Sequence, residues 1–275
     1  MTFRTAACQM NSRADKDANL ATAERLIDGA ARLGADLVAL PEMFNMLGTR
    51  AHVREGAEPL MGPSARFLQA KAREHGLYVH GGSMPILVDE HDPTNSKIWN
   101  MTLVFDPAGE LIARYAKIHL FDIDIHGQVA ENESAIFEAG REMVTFDTGH
   151  GRFGLTICYD IRFPELYRSL TLDGARVIFQ PSAFTLYTGK DHWEALIRAR
   201  AIENQVFMVS PAQIGEHPPG KYCFGNAMIV DPWGTVLARA PEQECVIFAD
   251  IDYDYQEKVR AQLPSLQHRR PDVYE

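Results

Sequence analysis

Gly34-Ala35-Asp36-Leu37-Val38-Ala39-Leu40-Pro41-Glu42-Met43-Phe44 returns in outline 140 residues later as Gly174-Ala175-Arg176-Val177-Ile178-Phe179-Gln180-Pro181-Ser182-Ala183-Phe184. In each copy a glycine follows an amphipathic stretch, an apolar run of strand length comes next, and a proline ends it. Glycine suits the left-handed residue that closes a helix, and proline has no N–H to offer a sheet. Both segments therefore read as helix end, buried strand and strand stop. A second echo joins Asp106-Pro107-Ala108-Gly109 to Asp231-Pro232-Trp233-Gly234. Each places Asp, Pro and Gly where a type I turn takes them, between two strand-like runs, and so predicts a hairpin. Together the echoes predict two similar halves, forming two sheets packed face to face with helices outside.

Working outward, apolar spacing predicts strands over 3–9, 37–40, 77–83, 99–105, 111–115, 143–147, 153–157, 177–180 and 206–210. It predicts helices over 17–33, 64–74, 164–172 and 192–204, then two more strands and a last helix near 255–262. Strands and helices mix throughout, which is the pattern of an α/β protein. No Gly/Ser/Pro-rich linker divides the chain, so residues 1–275 read as one domain with 264–275 as a polar C-terminal tail.

The chain has 275 residues, 46% of them hydrophobic and 23% charged, the balance of an ordinary globular protein. Its net charge of −10 argues against nucleic acid or an anionic membrane as partner. It also means that an anionic small molecule would need a local group of cations. No apolar run approaches the roughly 18 residues of a membrane span, and the first residues lack a signal-peptide core. The four cysteines, Cys8, Cys158, Cys223 and Cys245, form no Cys-x-x-Cys pair, and the ten histidines show no metal-site spacing. A protein of the reducing cytoplasm, with neither metal nor organic cofactor, is the expectation.

The strongest chemical signal is Gly154-Leu155-Thr156-Ile157-Cys158-Tyr159-Asp160-Ile161-Arg162-Phe163-Pro164-Glu165, a buried strand ending in a cysteine just before a helix. Such a corner presents a nucleophile and points unpaired N–H groups at whatever binds beside it. Taken alone, Cys158 also fits the ordinary role of a small buried hydrophobe, as do the other three cysteines. Glu42 follows a buried strand, as a cleft carboxylate would, yet equally suits a loop or helix cap. Lys117, after the 111–115 run, suits a solvated lysine as well as a functional one.

Pro41-Glu42-Met43-Phe44, Lys117-Ile118-His119-Leu120-Phe121-Asp122 and the Cys158–Glu165 segment occur in that order and resemble the signature of the nitrilase superfamily of carbon–nitrogen hydrolases. The likeness extends over 3–274. It implies a four-layer αββα sandwich with pseudo-symmetric halves, assembled as a homodimer or larger homo-oligomer. It implies a catalytic triad of Glu42, Lys117 and Cys158, with Glu133 as a second active-site glutamate, Glu131 lying close by in the same segment. The implied reaction is hydrolysis of the terminal amide of a small carboxylate compound to acid and ammonia, through a thioester on Cys158. Tyr159 in place of a tryptophan after the cysteine resembles the Nit-type amidases, which act on deaminated glutathione or α-ketoglutaramate. An N-carbamoyl amidohydrolase of the same superfamily, and a non-catalytic reactive-thiol sensor or binding protein, are the competing readings.

Two departures from the resemblance lie near the pocket entrance: Ala116 stands where an arginine is common, and His126 where Pro-Gly is common. A substrate carboxylate needs a cation, and Arg162 is the first candidate because guanidinium can hold a carboxylate by two hydrogen bonds. An ion pair with Glu165 or another acid is its structural alternative. Tyr159, Phe184 and Thr185 are further candidates to line the substrate pocket, with Phe184 also suited to the core. His192 and Trp193 read as the packing start of a helix, and His119 as structural.

Overall fold

The structure, a computed structural model, describes residues 2–89 and 97–274; the domain limits expected at 1 and 275 lie outside them. The first half runs β1 (Thr2–Met10), α1 (Lys16–Arg32), β2 (Leu37–Ala39), α2 (Arg50–Glu55), α3 (Pro63–His75), β3 (Tyr78–His80), β4 (Met84–Leu87), β5 (Ile98–Phe105) and β6 (Leu111–Ala116). A two-stranded ribbon of β7 (Asp122–Ile125) and β8 (Val129–Asn132) stands apart. The second half continues with β9 (Thr145–Thr148), β10 (Gly151–Leu155), α4 (Pro164–Leu172), β11 (Val177–Phe179), α5 (Leu186–Asn204) and β12 (Phe207–Ser210). After these come β13 (Ala212–His217), β14 (Lys221–Phe224), β15 (Met228–Val230), β16 (Val236–Arg239), β17 (Cys245–Asp252), α6 (Tyr253–Gln262) and the short α7 (Pro271–Tyr274).

Two sheets result. In one, β1, β2 and β3 run parallel and are followed by antiparallel β5, which pairs with both β4 and β6. In the other, β10, β11 and β12 run parallel and are followed by antiparallel β15 and β16. The halves match bond for bond. Gly34 and Gly174 both have positive φ, at 75° and 97°, and their N–H groups donate to Ala31 O and Thr171 O. Asp36 N–H donates to Arg4 O, and Arg176 N–H to Arg152 O. The hairpin turns match too, because Asp106 Oδ1 accepts from the N–H of Ala108 and Glu110, and Asp231 Oδ1 from those of Trp233 and Thr235.

The strand period of two sorts side chains between layers. On β1, Phe3 and Ala7 join the core between the sheets, whereas Ala6, Cys8 and Met10 join the core under the helices, with Leu26 and Ile27 of α1. Leu37 and Ala39 on β2 divide from Val38 in the same way. With α1 packed beside α3 and α4 beside α5, the order is helix, sheet, sheet, helix.

Several elements differ from the sequence expectation. The expected strand over 77–83 stops at His80, because Gly81 and Gly82 turn the chain before β4 starts at Met84. Helix α5 starts at Leu186, so His192 and Trp193 sit inside it rather than at its start; Thr185 caps it, and Gly189, a weak helix former, hides its first turns from a spacing argument. Five strands, not two, follow Ser210; β13, β14 and β17 cross to the first sheet, and β17 pairs with β1 along eight registered positions from Thr2↔Asp252 to Gln9↔Cys245. Helix α2 and the β7–β8 ribbon had no sequence expectation, and the 264–275 tail carries α7.

Candidate active site

The strand–proline corners and the end of β10 converge where the sheets meet. Glu42 follows Pro41 at the end of β2 and is nearly buried, its side chain 3% exposed. Its Oε1 accepts from Asn100 Nδ2 at 2.8 Å and from Lys117 Nζ at 3.0 Å, and its Oε2 accepts from Ala183 N–H at 2.8 Å. Lys117 follows β6, and its side chain is 1% exposed. Its ammonium also donates to Glu133 Oε1 at 2.9 Å. Glu133 sits just beyond the β7–β8 ribbon, where its Oε2 accepts from Phe121 N–H at 2.8 Å. One buried cation thus joins the buried Glu42 and the partly exposed Glu133, and the remaining acceptor positions are met by Asn100 and backbone N–H groups.

Cys158 lies three residues beyond β10 with φ 46°, a left-handed backbone that a side chain adopts only under restraint. The restraint comes from both sides: Cys158 N–H donates to Pro181 O at 2.9 Å, and Gln180 Nε2 donates to Cys158 O at 2.7 Å. Asp160, wholly buried, ties this corner to the Lys117 strand. Its carboxylate accepts from Ile157 N–H, Tyr115 Oη, His119 N–H and His119 Nδ1, at 2.7–3.1 Å.

Burial pushes the Cys158 thiol well above its ordinary range, and the Glu42 charge and a hydrogen bond to Glu42 push the same way, against Lys117. On balance these effects favour the protonated sulfur. Burial alone would lower the Lys117 ammonium, but the charges of Glu133 and Glu42 overcome it and hold it well above the usual lysine value. Burial raises Glu133, and Glu42 adds to this while Lys117 opposes it.

Glu42, Lys117, Glu133 and Cys158 line one cleft of about 740 Å³, walled by α2, the β7–β8 ribbon, the start of α5 and the β13–β14 turn. It shares Phe121, Cys158, Ala183 and Thr185 with a narrow niche that is also lined by Tyr159, Arg162, Phe184 and Thr188. All four expected pocket residues are thus gathered there. Phe184 is also a core residue, 5% exposed and packed on Trp193. Arg162 does not pair with Glu165. Its guanidinium stands over the Tyr159 and Phe184 rings and hydrogen-bonds His192 Nδ1, and among the described residues no acid neutralises it.

Sequence reasoning missed Asn100, Asp160 and the Ala183 N–H, whose partners come from 58, 45 and 141 residues away. For Asp160 its place in the Cys158–Glu165 motif was the available signal. Among the described residues one His/Cys/Asp/Glu cluster is tight enough to share an ion: Asp28, Glu74 and His75, on α1 and at the end of α3. Lys71 already supplies its cation, at 3.1 Å from Asp28 and 2.9 Å from Glu74.

A thiol, a carboxylate and an ammonium enclosed at the junction of two sheets are the parts of a cysteine-nucleophile hydrolase. The chain belongs to the carbon–nitrogen hydrolase family, whose model matches residues 4–261, and it is thereby a hydrolase of carbon–nitrogen bonds. It is 44% identical to a deaminated glutathione amidase of Synechocystis over 97% of this chain and 98% of that one. It is 38% identical to the mouse omega-amidase NIT2 over 99% of this chain and 97% of the relative. The crystal structure of the C. elegans NitFhit protein superposes with a TM-score of 0.92 at 39% identity, covering all of this chain and 66% of that one. Among the described residues no helix is long and apolar enough to cross a membrane.

Proposed function

We propose that the protein is an amidase of small carboxylate-bearing amides that uses Cys158 as nucleophile, Glu42 as general base and acid, and Lys117 as oxyanion donor. The supporting observation is the Lys117 ammonium held between Glu42 and Glu133 in the cleft that Cys158 lines. Glu42 takes the thiol proton as sulfur attacks the amide carbonyl, and the oxyanion is met by Lys117 and the Tyr159 N–H. Glu42 then returns the proton to the departing amine, which is ammonia when the amide is primary. A water deprotonated by Glu42 releases the acid from the Cys158 thioester. Glu133 holds Lys117 in place. Arg162, with no acid beside it and Tyr159, Phe184 and Thr185 around it, receives the carboxylate of the acyl part.

The names of the relatives, deaminated glutathione amidase and omega-amidase, support the same substrate class. On this reading residues 1–275 act as one domain, in the cytoplasm, as a homodimer or larger assembly. The test is acid release from deaminated glutathione and α-ketoglutaramate side by side, with Cys158→Ala as control. Release that the variant abolishes is the expected result. A folded protein inactive on both, yet releasing carbon dioxide from N-carbamoyl compounds, would overturn it.

A further inference from the structure

The two halves differ at one buried spot in a way the fold does not require. β1 and β10 hold equivalent places, since Thr5 pairs with Leu37 and Phe153 with Val177. Counted from those pairs, Cys8 and Leu40 in the first half answer to Thr156 and Gln180 in the second. Cys8 and Leu40 both lie in the apolar core under the helices. Thr156 and Gln180 are just as buried but polar, and Tyr167 of α4, also wholly buried, joins them through its hydroxyl. A buried polar group costs stability unless it is paired. Polar residues at places where apolar ones build the same corner therefore need a reason beyond the fold.

The hydrogen bonds of this cluster lead to the nucleophile. Gln180 Nε2 donates to Cys158 O at 2.7 Å and to Ser182 Oγ at 3.1 Å. Cys158 O can only accept, which fixes the orientation of the Gln180 amide. The amide oxygen then faces Thr156 Oγ1, at 2.6 Å, and the Tyr167 hydroxyl, both able to donate to it. Burial pushes the Tyr167 hydroxyl well above its ordinary range, so it keeps its proton. Cys158 O and the Tyr159 N–H belong to one trans peptide group, in which the two point in opposite directions. With its carbonyl held by Gln180, this peptide turns the Tyr159 N–H away from Gln180. Among the described residues that N–H has no hydrogen-bond partner, and Tyr159 lines the niche together with Cys158. An unpaired N–H beside a nucleophile is a donor for an acceptor that the substrate brings.

We propose that Gln180, locked in place by Tyr167 and Thr156, is a positioning residue that aims the Tyr159 N–H at the oxygen of the carbonyl attacked by Cys158. This role rests on the reading of the Tyr159 N–H as oxyanion donor given above. Gln180 lines neither the cleft nor the niche, so it acts through the Cys158–Tyr159 peptide and not on the substrate.

Two reactions of the same sulfur separate aiming from packing. Hydrolysis of an amide builds an oxyanion, whereas alkylation of Cys158 by iodoacetamide is a displacement at carbon and builds none. Gln180→Met keeps the length of the side chain and removes its donors. In this variant kcat on α-ketoglutaramate or deaminated glutathione should fall by about 10- to 100-fold, part of the weight of one oxyanion donor, with KM within about threefold. Alkylation rate should stay within about twofold of the unsubstituted protein across the pH profile, because the thiolate fraction is untouched. Tyr167→Phe, which loosens Gln180 by one hydroxyl, should show the same split at about 2- to 10-fold, and it reads the role even where Gln180→Met does not fold. Equal losses of hydrolysis and alkylation would reduce Gln180 to a support of the fold, and intact hydrolysis would detach it from the Tyr159 N–H; either overturns the proposal. An unsubstituted protein that is alkylated yet hydrolyses neither amide sinks the amidase reading itself, and the role of Gln180 with it.

Discussion

The corners at Pro41 and Pro181 are the same piece of backbone used for opposite purposes. Both end a buried central strand, β2 or β11, and both turn toward the seam between the sheets. After Pro41 comes Glu42, which carries charge into the cleft; after Pro181 comes Ser182, buried against Gln180. The Pro181 corner braces Glu42 from the first half and Cys158 from its own: its Ala183 N–H fixes Glu42 Oε2, and its Pro181 carbonyl holds the Cys158 N–H. In return Gln213, on a strand that crosses from the second half, donates to the Glu42 carbonyl at 2.9 Å. The difference teaches that near-symmetry supplies rigid seats, while single side chains decide which seat holds chemistry and which holds its neighbour.

The largest effect should come from removing the charge at the Pro41 corner. Glu42→Gln should lower kcat/KM by about 10²–10⁴, the usual weight of a general base. Because Glu42 raises the Cys158 thiol by charge and by hydrogen bond, the same variant should lower that thiol's pKa. Iodoacetamide should then alkylate Cys158 at a lower pH than in the unsubstituted protein, even as hydrolysis disappears. An alkylation profile that stays put or moves to higher pH would show that Glu42 does not face the sulfur.

Lys117→Met should come next, lowering kcat/KM by about 10²–10³ as one oxyanion donor is lost. It also leaves the buried Glu42 without its cation, which costs about 3–5 kcal/mol of stability. The alkylation shift should reverse sign here, toward higher pH, because Lys117 is the group that favours the thiolate. Opposite shifts in the two variants, read in one assay, separate the carboxylate's role from the ammonium's.

Third is the backbone beneath the Pro41 corner. Gly82 has φ 57°, and a Cβ there would lie 2.0 Å from Pro41 O, backbone that cannot move without taking Glu42 along. Gly82→Ala should cost about 2–4 kcal/mol in a thermal melt, and kcat should fall at temperatures where the variant is fully folded. A stability loss with kcat intact would mean that the corner shifts without disturbing Glu42.

What could be read along the chain and what could not divide by the range of the forces involved. The Gly34 and Gly174 helix ends and the Asp–Pro–Gly hairpins each depend on residues within a few positions, so the residue types announce them, whereas the backbone of the Cys158 corner is held by Pro181 and Gln180 from further along the chain. Asn100 and Asp160 act on partners far away in sequence, and no local pattern marks an asparagine in a strand as the support of a distant carboxylate. The crossing of β13, β14 and β17 to the first sheet is a question of pairing, which alternation of apolar residues does not address. The start of α5 was hidden by Gly189, whose weak propensity is overridden by packing of the helix on β12 and β14.

The smallest effect tests the symmetry itself. Gly34 and Gly174 both follow a helix with positive φ; a Cβ would meet nothing within 4 Å at Gly34 and only Arg152 Cδ, at 3.4 Å, at Gly174. Neither substitution to alanine creates a clash, so each should cost only the left-handed backbone of an L-residue, about 1–2 kcal/mol. The two melts should shift alike, and the double variant should show the sum, because the glycines lie in different halves and share no bond partner. Unequal shifts would mean that one half holds its helix end more firmly than the other. The firmer half would be expected to be the second, since its helix α4 leads directly from the Cys158 corner.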